Sequence, residues 1–285
     1  MTAQPAVDRS AAQGNPARSA TRSATRSCIA ESAGATSPDE VYLSIIVPTW
    51  NGGARLPATL RSIARFAWEQ PFPVERIVID DCSEPGTAEV LADWQRNDPT
   101  LRIVRNDVNS GKGFSVARGM SIARGKYRVF LDSDLAYPAT EISKIVQQLE
   151  YGADVAIASR TDPRSRYLMS PAYFHYLYTR HVMSRVFNLM VRLTLLPGIA
   201  DTQAGLKGFT AAAANLIFPQ LSIRRFGFDL ECLFIARQHA MRIAQTPVEF
   251  HYDNEPSTVH FVRDVIAMLR DIALVRWHGW RRFYA

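Results

Sequence analysis

The stretch Tyr127-Arg-Val-Phe-Leu-Asp-Ser-Asp-Leu-Ala-Tyr-Pro138 decides the fold: an apolar run breaks off abruptly in two carboxylates, Asp132 and Asp134. A parallel strand covered on both faces is continuously apolar and shows its polar residues where it leaves the sheet. Two residues apart on extended backbone, Asp132 and Asp134 can share one side and offer oxygen ligands to a hard cation such as Mg²⁺ or Mn²⁺. Such a cation suits a diphosphate. A lone Asp-x-Asp is more often only a polar turn, so its surroundings must decide.

Upstream, Leu43–Val47 is a β-branched run closed by Pro48, Thr49 and Asn51-Gly-Gly53, and a helical period follows through Leu56, Leu60 and Ile63. Glu75–Ile79 is a second strand ending on Asp80-Asp-Cys-Ser83, Thr87–Arg96 a helix and Leu101–Val104 a third strand. The loop Asn109–Gly113 carries Lys112 between two glycines and opens a helix over Phe114–Arg124. Downstream, Pro138–Glu150 reads as a helix and Asp154–Ala158 as a fifth strand running into Ser159-Arg160. Strands alternating with helices at this rhythm imply an α/β fold with a mainly parallel, Rossmann-like sheet, whose ligand crevice lies beyond the carboxyl ends of the strands. Pro48-Thr49, Asp80-Asp81, the Lys112 loop and Asp132/Asp134 all fall at such ends.

The character changes after Asp162. No acidic residue occurs before Asp201, whereas five Arg, two His and many aromatics do. On a helix, His181, Ser184, Arg185, Asn188 and Arg192 form a polar stripe amid apolar residues, so 164–196 reads as an amphipathic segment lying at a membrane surface, with a core helix as the alternative. Asp201–Phe209 is a turn leading into a short strand, Ala211–Phe218 a helix, and Phe226–Met241 another, with Asp229 and Glu231 near its start, where helix electrostatics alone favour carboxylates. Ile243–Phe250 reads as a last strand. Val262–Arg276 reads as a helix continuing into Trp277, Trp280, Arg281, Arg282, Phe283 and Tyr284, a second interfacial anchor over 263–285. The catalytic core is expected over 41–262. Residues 1–40, Ala/Ser/Thr/Arg-rich and without period, read as a disordered extension whose composition also resembles a transit peptide.

Composition adds bounds. With 285 residues the chain is long enough for one large domain, and 33 Lys+Arg against 27 Asp+Glu suits an anionic membrane or a phosphorylated substrate as well as nucleic acid. Cys28, Cys82 and Cys232 are too few and too scattered for a disulfide framework or a zinc site. No run approaches the roughly 18–20 apolar residues that cross a bilayer, so a soluble or surface-bound protein is expected.

Ser44-Ile-Ile-Val-Pro-Thr-Trp-Asn51, Val78-Ile-Asp-Asp-Cys-Ser83, Asn109-Ser-Gly-Lys-Gly113, Arg118-Gly-Met120 and Asp132-Ser-Asp134 together resemble glycosyltransferase family 2, of GT-A fold, in order and spacing. Asp201-Thr-Gln-Ala-Gly-Leu-Lys207 and Phe228-Asp-Leu-Glu231 resemble its dolichyl-phosphate glucosyltransferase branch, to which dolichyl-phosphate mannosyl synthases are related; Ala204, Leu206 and Ser133 depart from the usual Cys, Phe and Ala. The resemblance implies an inverting, metal-dependent hexosyltransferase moving glucose from UDP-glucose to a polyprenyl phosphate on the cytoplasmic face of a membrane. It implies no role for nucleic acid. Pro48, Thr49, Asn51, Asp80, Asp81, Lys112, Asp132 and Ser133 would hold the nucleotide sugar, and Asp132 and Asp134 would hold Mg²⁺ or Mn²⁺, with Asp134 counted as catalytic. Arg160, Arg180, Arg185 and Lys207 would take the acceptor phosphate.

A phosphate acceptor is already anionic and hardly needs a base, whereas a hydroxyl acceptor would call on Asp229 or Glu231. Rival readings are a family member using GDP-mannose or a hydroxyl acceptor, a nucleotidyltransferase, and a nucleotide-sugar-binding protein without turnover. Thr49-Trp-Asn-Gly-Gly53 lacks the Lys or Arg that a nucleotidyltransferase carries after its first strand, and the intact carboxylates count against a protein without turnover.

Overall fold

The computed structural model describes residues 40–169, 188–252 and 261–284. Seven strands form the main sheet in the order β3-β2-β1-β4-β7-β5-β8. They are β1 (Leu43–Thr49), β2 (Val74–Asp80), β3 (Leu101–Arg105), β4 (Tyr127–Leu131), β5 (Val155–Ser159), β7 (Leu206–Thr210) and β8 (Ile243–Pro247). Neighbours β3, β2, β1 and β4 run parallel, as do β5 and β8. Strand β7 alone is antiparallel to both its neighbours, β4 and β5. That reversal has a functional consequence, because the amino end of β7 then lies beside the carboxyl end of β4.

The continuous apolar runs are explained by burial on both faces. Along β4, Phe130 belongs to one core cluster while Val129 and Leu131 belong to the other; along β1, Ile46 divides in the same way from Ile45 and Val47. Each strand thus alternates between two equally apolar layers. One layer is filled by α3 (Lys112–Ile122), α5 (Ala211–Ile217) and α6 (Phe228–Gln238), the other by α1 (Leu56–Trp68) and α4 (Glu141–Glu150). Helix α2 (Pro85–Asn97) buries only Thr87 and Leu91 and flanks the edge near β3.

Three expectations are corrected here. The single strand expected at Ile243–Phe250 is two. Pro247, without an N–H, ends β8, and Glu249–Tyr252 (β9) turns away to pair in parallel with Arg166–Met169 (β6) as a separate two-stranded sheet. The segment 164–196 therefore begins as a strand. Its middle, with Arg180 and Arg185, lies outside the described residues. In the helical stretch 188–194 Asn188 is buried, whereas Leu189 and Leu193 are exposed, so Asn188 does not share a solvent-facing polar stripe. Finally, α7 (Phe261–Trp280) is not an appendage to the core: Val275 and Tyr284 are buried in the same cluster as α6. Trp277, Trp280 and Phe283 nevertheless remain exposed, and the Arg281 guanidinium lies 4.9 Å from the Trp277 ring centre. Among the described residues no helix is long and apolar enough to cross a membrane. The expected extension, 1–40, lies outside the described residues apart from Glu40.

Candidate active site

The crevice is bounded by the carboxyl ends of β1, β2 and β4 and the amino end of β7. Non-glycine residues in left-handed backbone follow three of those ends: Asn51 (φ 51°) after β1, Cys82 (φ 60°) after β2 and Leu135 (φ 57°) after β4. Such strain costs roughly 1–3 kcal/mol each and gathers where side chains must be aimed rather than packed.

Pro48 and Thr49 are buried at the end of β1. Asn51 bridges to the β2 turn: its N–H donates to Ser83 Oγ at 2.9 Å and its Oδ1 accepts from the Glu84 N–H at 2.8 Å. Asp80 accepts from the Ser83 N–H at 3.0 Å and from Arg105, tying β2 to β3. Asp81 organises the next loop, accepting from Asn106 Nδ2 at 2.7 Å and from the N–H groups of Ser110 at 2.9 Å and Gly111 at 2.8 Å. That loop delivers Lys112 at the first turn of α3. Lys112 Nζ reaches Asp132 Oδ1 at 2.6 Å and lies 5.8 and 5.9 Å from the ring centres of Phe130 and Phe228. Burial opposes its charge, yet Asp132, Asp229 and Asp134 together hold its pKa above the ordinary lysine value.

Asp132 is fixed by its backbone, whose N–H donates to Gly205 O at 3.0 Å, extending the antiparallel β4–β7 ladder by one bond. Ser133 offers its carbonyl to Thr59 Oγ1 at 2.8 Å. Asp134 Oδ1 accepts from the Ala136 N–H at 3.0 Å, and its carboxyl is pushed above the usual range by burial and then by Asp132, with Lys112 and Arg55 pulling the other way. Two adjacent carboxylates, one already resisting ionisation, make a donor set that fits a divalent cation. Among the described residues no cluster of three or more His, Cys, Asp or Glu could hold a metal ion, so the remaining ligands would come from a diphosphate and water. Among the described residues Thr49 Oγ1, Tyr137 Oη, Gln203 Nε2 and Thr246 Oγ1 are buried without a hydrogen-bond partner. Thr49, at the carboxyl end of β1, places one such orphaned atom at the crevice, as a site kept for a ligand would.

Gly205, beside Asp132, carries no functional group of its own but is part of the site. A Cβ there would come within 2.0 Å of Asp132 Oδ2. Gly205→Ala is therefore expected to displace the Asp132 carboxylate and lower kcat on the order of 100-fold, with little loss of Tm; steady-state rates beside a thermal melt separate the two. Its signal, a glycine two residues before Lys207, becomes legible only once β7 is known to run antiparallel to β4.

Of the expected acceptor cations and bases, Arg180 and Arg185 lie outside the described residues, and the others are engaged within the protein. Lys207 is 0% exposed, pairs with Asp229 and donates to Ala204 O at 2.7 Å. Arg160 is clamped to Asp201 through Nε at 2.7 Å and Nη2 at 2.9 Å, with its ring neighbour Phe250 at 5.6 Å. Asp229 is 4% exposed, and burial raises its pKa although Lys207 and Lys112 oppose the shift. Glu231 is 0% exposed and saturated: it accepts from the N–H groups of Ser222 at 2.9 Å and Ile223 at 2.8 Å, from Ser222 Oγ at 2.5 Å and from Tyr284 OH at 2.7 Å. These contacts correct the picture of Lys207 as a phosphate-binding cation and of Glu231 as a base, since neither has a free donor or acceptor facing solvent.

The glycosyl transferase family 2 model matches residues 44–216. The dolichyl-phosphate beta-glucosyltransferase of Dictyostelium discoideum is 32% identical over 249 residues, 84% of this chain and 75% of that one. The human protein of the same name is 28% identical over 221 residues, covering 73% of this chain and 67% of its own length. Among solved structures, glucosyl-3-phosphoglycerate synthase of Mycobacterium tuberculosis with Mn²⁺ and UDP-glucose superposes with a TM-score of 0.60 at 20% identity, covering 81% of this chain and 79% of that one. That likeness concerns the fold, which is the GT-A arrangement that the resemblance of the motifs implied. With the matched segment running from β1 through α5 and enclosing every strand end that bounds the crevice, the chain belongs to glycosyl transferase family 2.

Proposed function

We propose that the chain transfers glucose from UDP-glucose to a polyprenyl phosphate, with inversion at the anomeric carbon. The observation that carries this reading over a hydroxyl acceptor is the state of the two candidate bases. Glu231 is saturated by four donors and Asp229 is locked to Lys207, so neither is free to take a proton from an incoming alcohol. An anionic phosphate oxygen needs no such help. The relatives named dolichyl-phosphate beta-glucosyltransferase support the same acceptor and the same sugar.

In this scheme Asp132 and Asp134 would hold Mg²⁺ or Mn²⁺, which supplies neutralisation of the charge developing on the departing nucleoside diphosphate. Lys112, kept protonated beside Asp132, adds a second positive charge on the same side. Pro48, Thr49 and Asn51 line the base end. Asp80 and Asp81, each already bonded within its own turn, act by shaping the nucleotide pocket. Arg160 retains one guanidinium nitrogen outside its clamp on Asp201 for a phosphate oxygen. The exposed Trp277, Trp280 and Phe283, with Arg281 beside them, suit a helix end resting in the headgroup layer on the cytoplasmic face, where the acceptor phosphate would be presented.

Release of nucleoside diphosphate tests the scheme, using purified full chain with UDP-glucose or GDP-mannose, with and without a short-chain polyprenyl phosphate, in Mn²⁺ and in chelator. The expected result is UDP release that requires both lipid and metal. Equal release without lipid, or preference for GDP-mannose, would count against the acceptor or the donor respectively.

A further inference from the structure

Among the described residues first expected to bind the acceptor phosphate, Lys207 is internal and Arg160 keeps one guanidinium nitrogen outside its clamp on Asp201, which leaves room for a further cationic partner. The loop between α5 and α6 offers one. From Thr202 to Phe228 the chain contains no acidic residue, and Arg224, Arg225 and Phe226 are consecutive and exposed, Phe226 at 58%. Among the described residues neither arginine has an ion-pair partner; the Arg224 guanidinium lies 5.4 Å from the Phe114 ring centre.

The loop is held at both ends of its turn. On the inner side Glu231 takes the N–H groups of Ser222 and Ile223, and is itself pinned by Tyr284. On the crevice side the Arg224 carbonyl accepts from the Phe114 N–H at 3.1 Å. The approach to the Lys112 loop is so close that a Cβ on Gly111 would lie 2.6 Å from Arg224 O and 3.0 Å from Arg225 Cγ, and one on Gly113 would lie 2.8 Å from Ile223 O. Two arginines without an ion-pair partner among the described residues thus stand on a loop whose backbone packs against the loop that delivers Lys112. Three residues after Arg225, the Phe228 ring faces the Lys112 ammonium. Planar donors on a backbone already held in place, with no carboxylate taking their charge among the described residues, suit a phosphate.

We infer that Arg224 and Arg225 form a phosphate subsite that takes the phosphate of the acceptor, with Phe226 beside it meeting the first apolar part of the lipid, and with Glu231 and Tyr284 as positioning residues for the loop. The inference rests on the proposed lipid-phosphate acceptor. A donor diphosphate carries the same chemistry, and the two sources separate experimentally.

The test compares full-chain wild type with Arg224→Ala/Arg225→Ala and Arg224→Lys/Arg225→Lys in two measurements. The first is co-sedimentation with phosphatidylcholine vesicles with and without a small fraction of polyprenyl phosphate, which needs no turnover. The second is the Kd for UDP in Mn²⁺. The alanine pair is expected to lose the phosphate-dependent increment in vesicle binding by about tenfold or more, with UDP affinity within about twofold of wild type, and the lysine pair to recover part of it. Retention of the increment by the alanine pair, or absence of any increment in the wild type, overturns the inference. A parallel loss of UDP affinity reassigns the arginines to the donor. Failure of the donor and acceptor scheme shows separately, as no glucosyl transfer by a wild type that still binds the phosphate-bearing vesicles.

Discussion

Asp134→Ala is expected to lower kcat by about 10²–10³-fold or more while leaving the protein folded, because it removes a carboxylate that would hold the cation at the leaving group. The structure sharpens this into a pair of opposite effects. The Asp134 carboxyl titrates above its ordinary range because burial and Asp132 both disfavour its charge. Its contribution to stability is therefore fully present below the unfolded carboxylate pKa, about 3.9, and is lost as pH rises through the folded value. Metal-free wild type should accordingly lose Tm as pH rises across that window, and Mn²⁺ should restore it by favouring the ionised form. Asp134→Asn, which keeps the acceptor for the Ala136 N–H, is expected to abolish the Mn²⁺ effect and to raise the metal-free Tm near neutral pH by about 2–4 °C. Thermal melts across pH with and without Mn²⁺ give the answer. A Tm that falls in Asp134→Asn, or keeps its Mn²⁺ response, is incompatible with this account of the carboxylate pair.

The second large effect concerns Lys207. As a cation for the acceptor phosphate it would be an exposed residue whose loss raises the acceptor KM and nothing else. As the buried partner of Asp229 it is part of the core beneath the crevice, 5.4 Å from the Phe130 ring centre. Removing one member of a buried pair strands the other's charge, at about 3–5 kcal/mol. Lys207→Met is therefore expected to lower Tm on the order of 10 °C, and Lys207→Met/Asp229→Leu, which removes both charges, to recover most of that loss. Differential scanning calorimetry decides the matter. Full stability in Lys207→Met with a selectively raised acceptor KM would return the residue to the acceptor site.

What could be read from the chain follows from what local pattern encodes. Strands buried on both faces appear as unbroken apolar runs, and the residues at which those runs stop are the residues lining the crevice; this is why Pro48, Asp80, Asp81, Lys112 and Asp132 were found from one dimension. Strand direction is not encoded in that way. Leu206–Thr210 reads the same in either sense, so the approach of Gly205 to Asp132 was invisible until the pairing Leu131 with Leu206 was known. Pairing across the core is equally silent. Lys207 and Asp229 are 22 residues apart, and nothing in either neighbourhood announces that a lysine is internal. Glu231 became a candidate base through the resemblance of Phe228-Asp-Leu-Glu231, yet its partners come from Ser222, Ile223 and Tyr284. Arg224 and Arg225 belong to no motif in the sequence, and only the packing of their loop against Gly111 and Gly113 brings them to notice.

The fate of the sugar identifies the acceptor. Purified full chain incubated with Mn²⁺, UDP-glucose labelled in the glucose and a short-chain polyprenyl phosphate should place label in the organic phase, as a product that mild acid cleaves to free glucose and that carries the β-anomeric configuration. Label that stays in the aqueous phase, as free glucose or as a glucoside of a hydroxyl compound, would contradict the account and return Asp229 to consideration as a base.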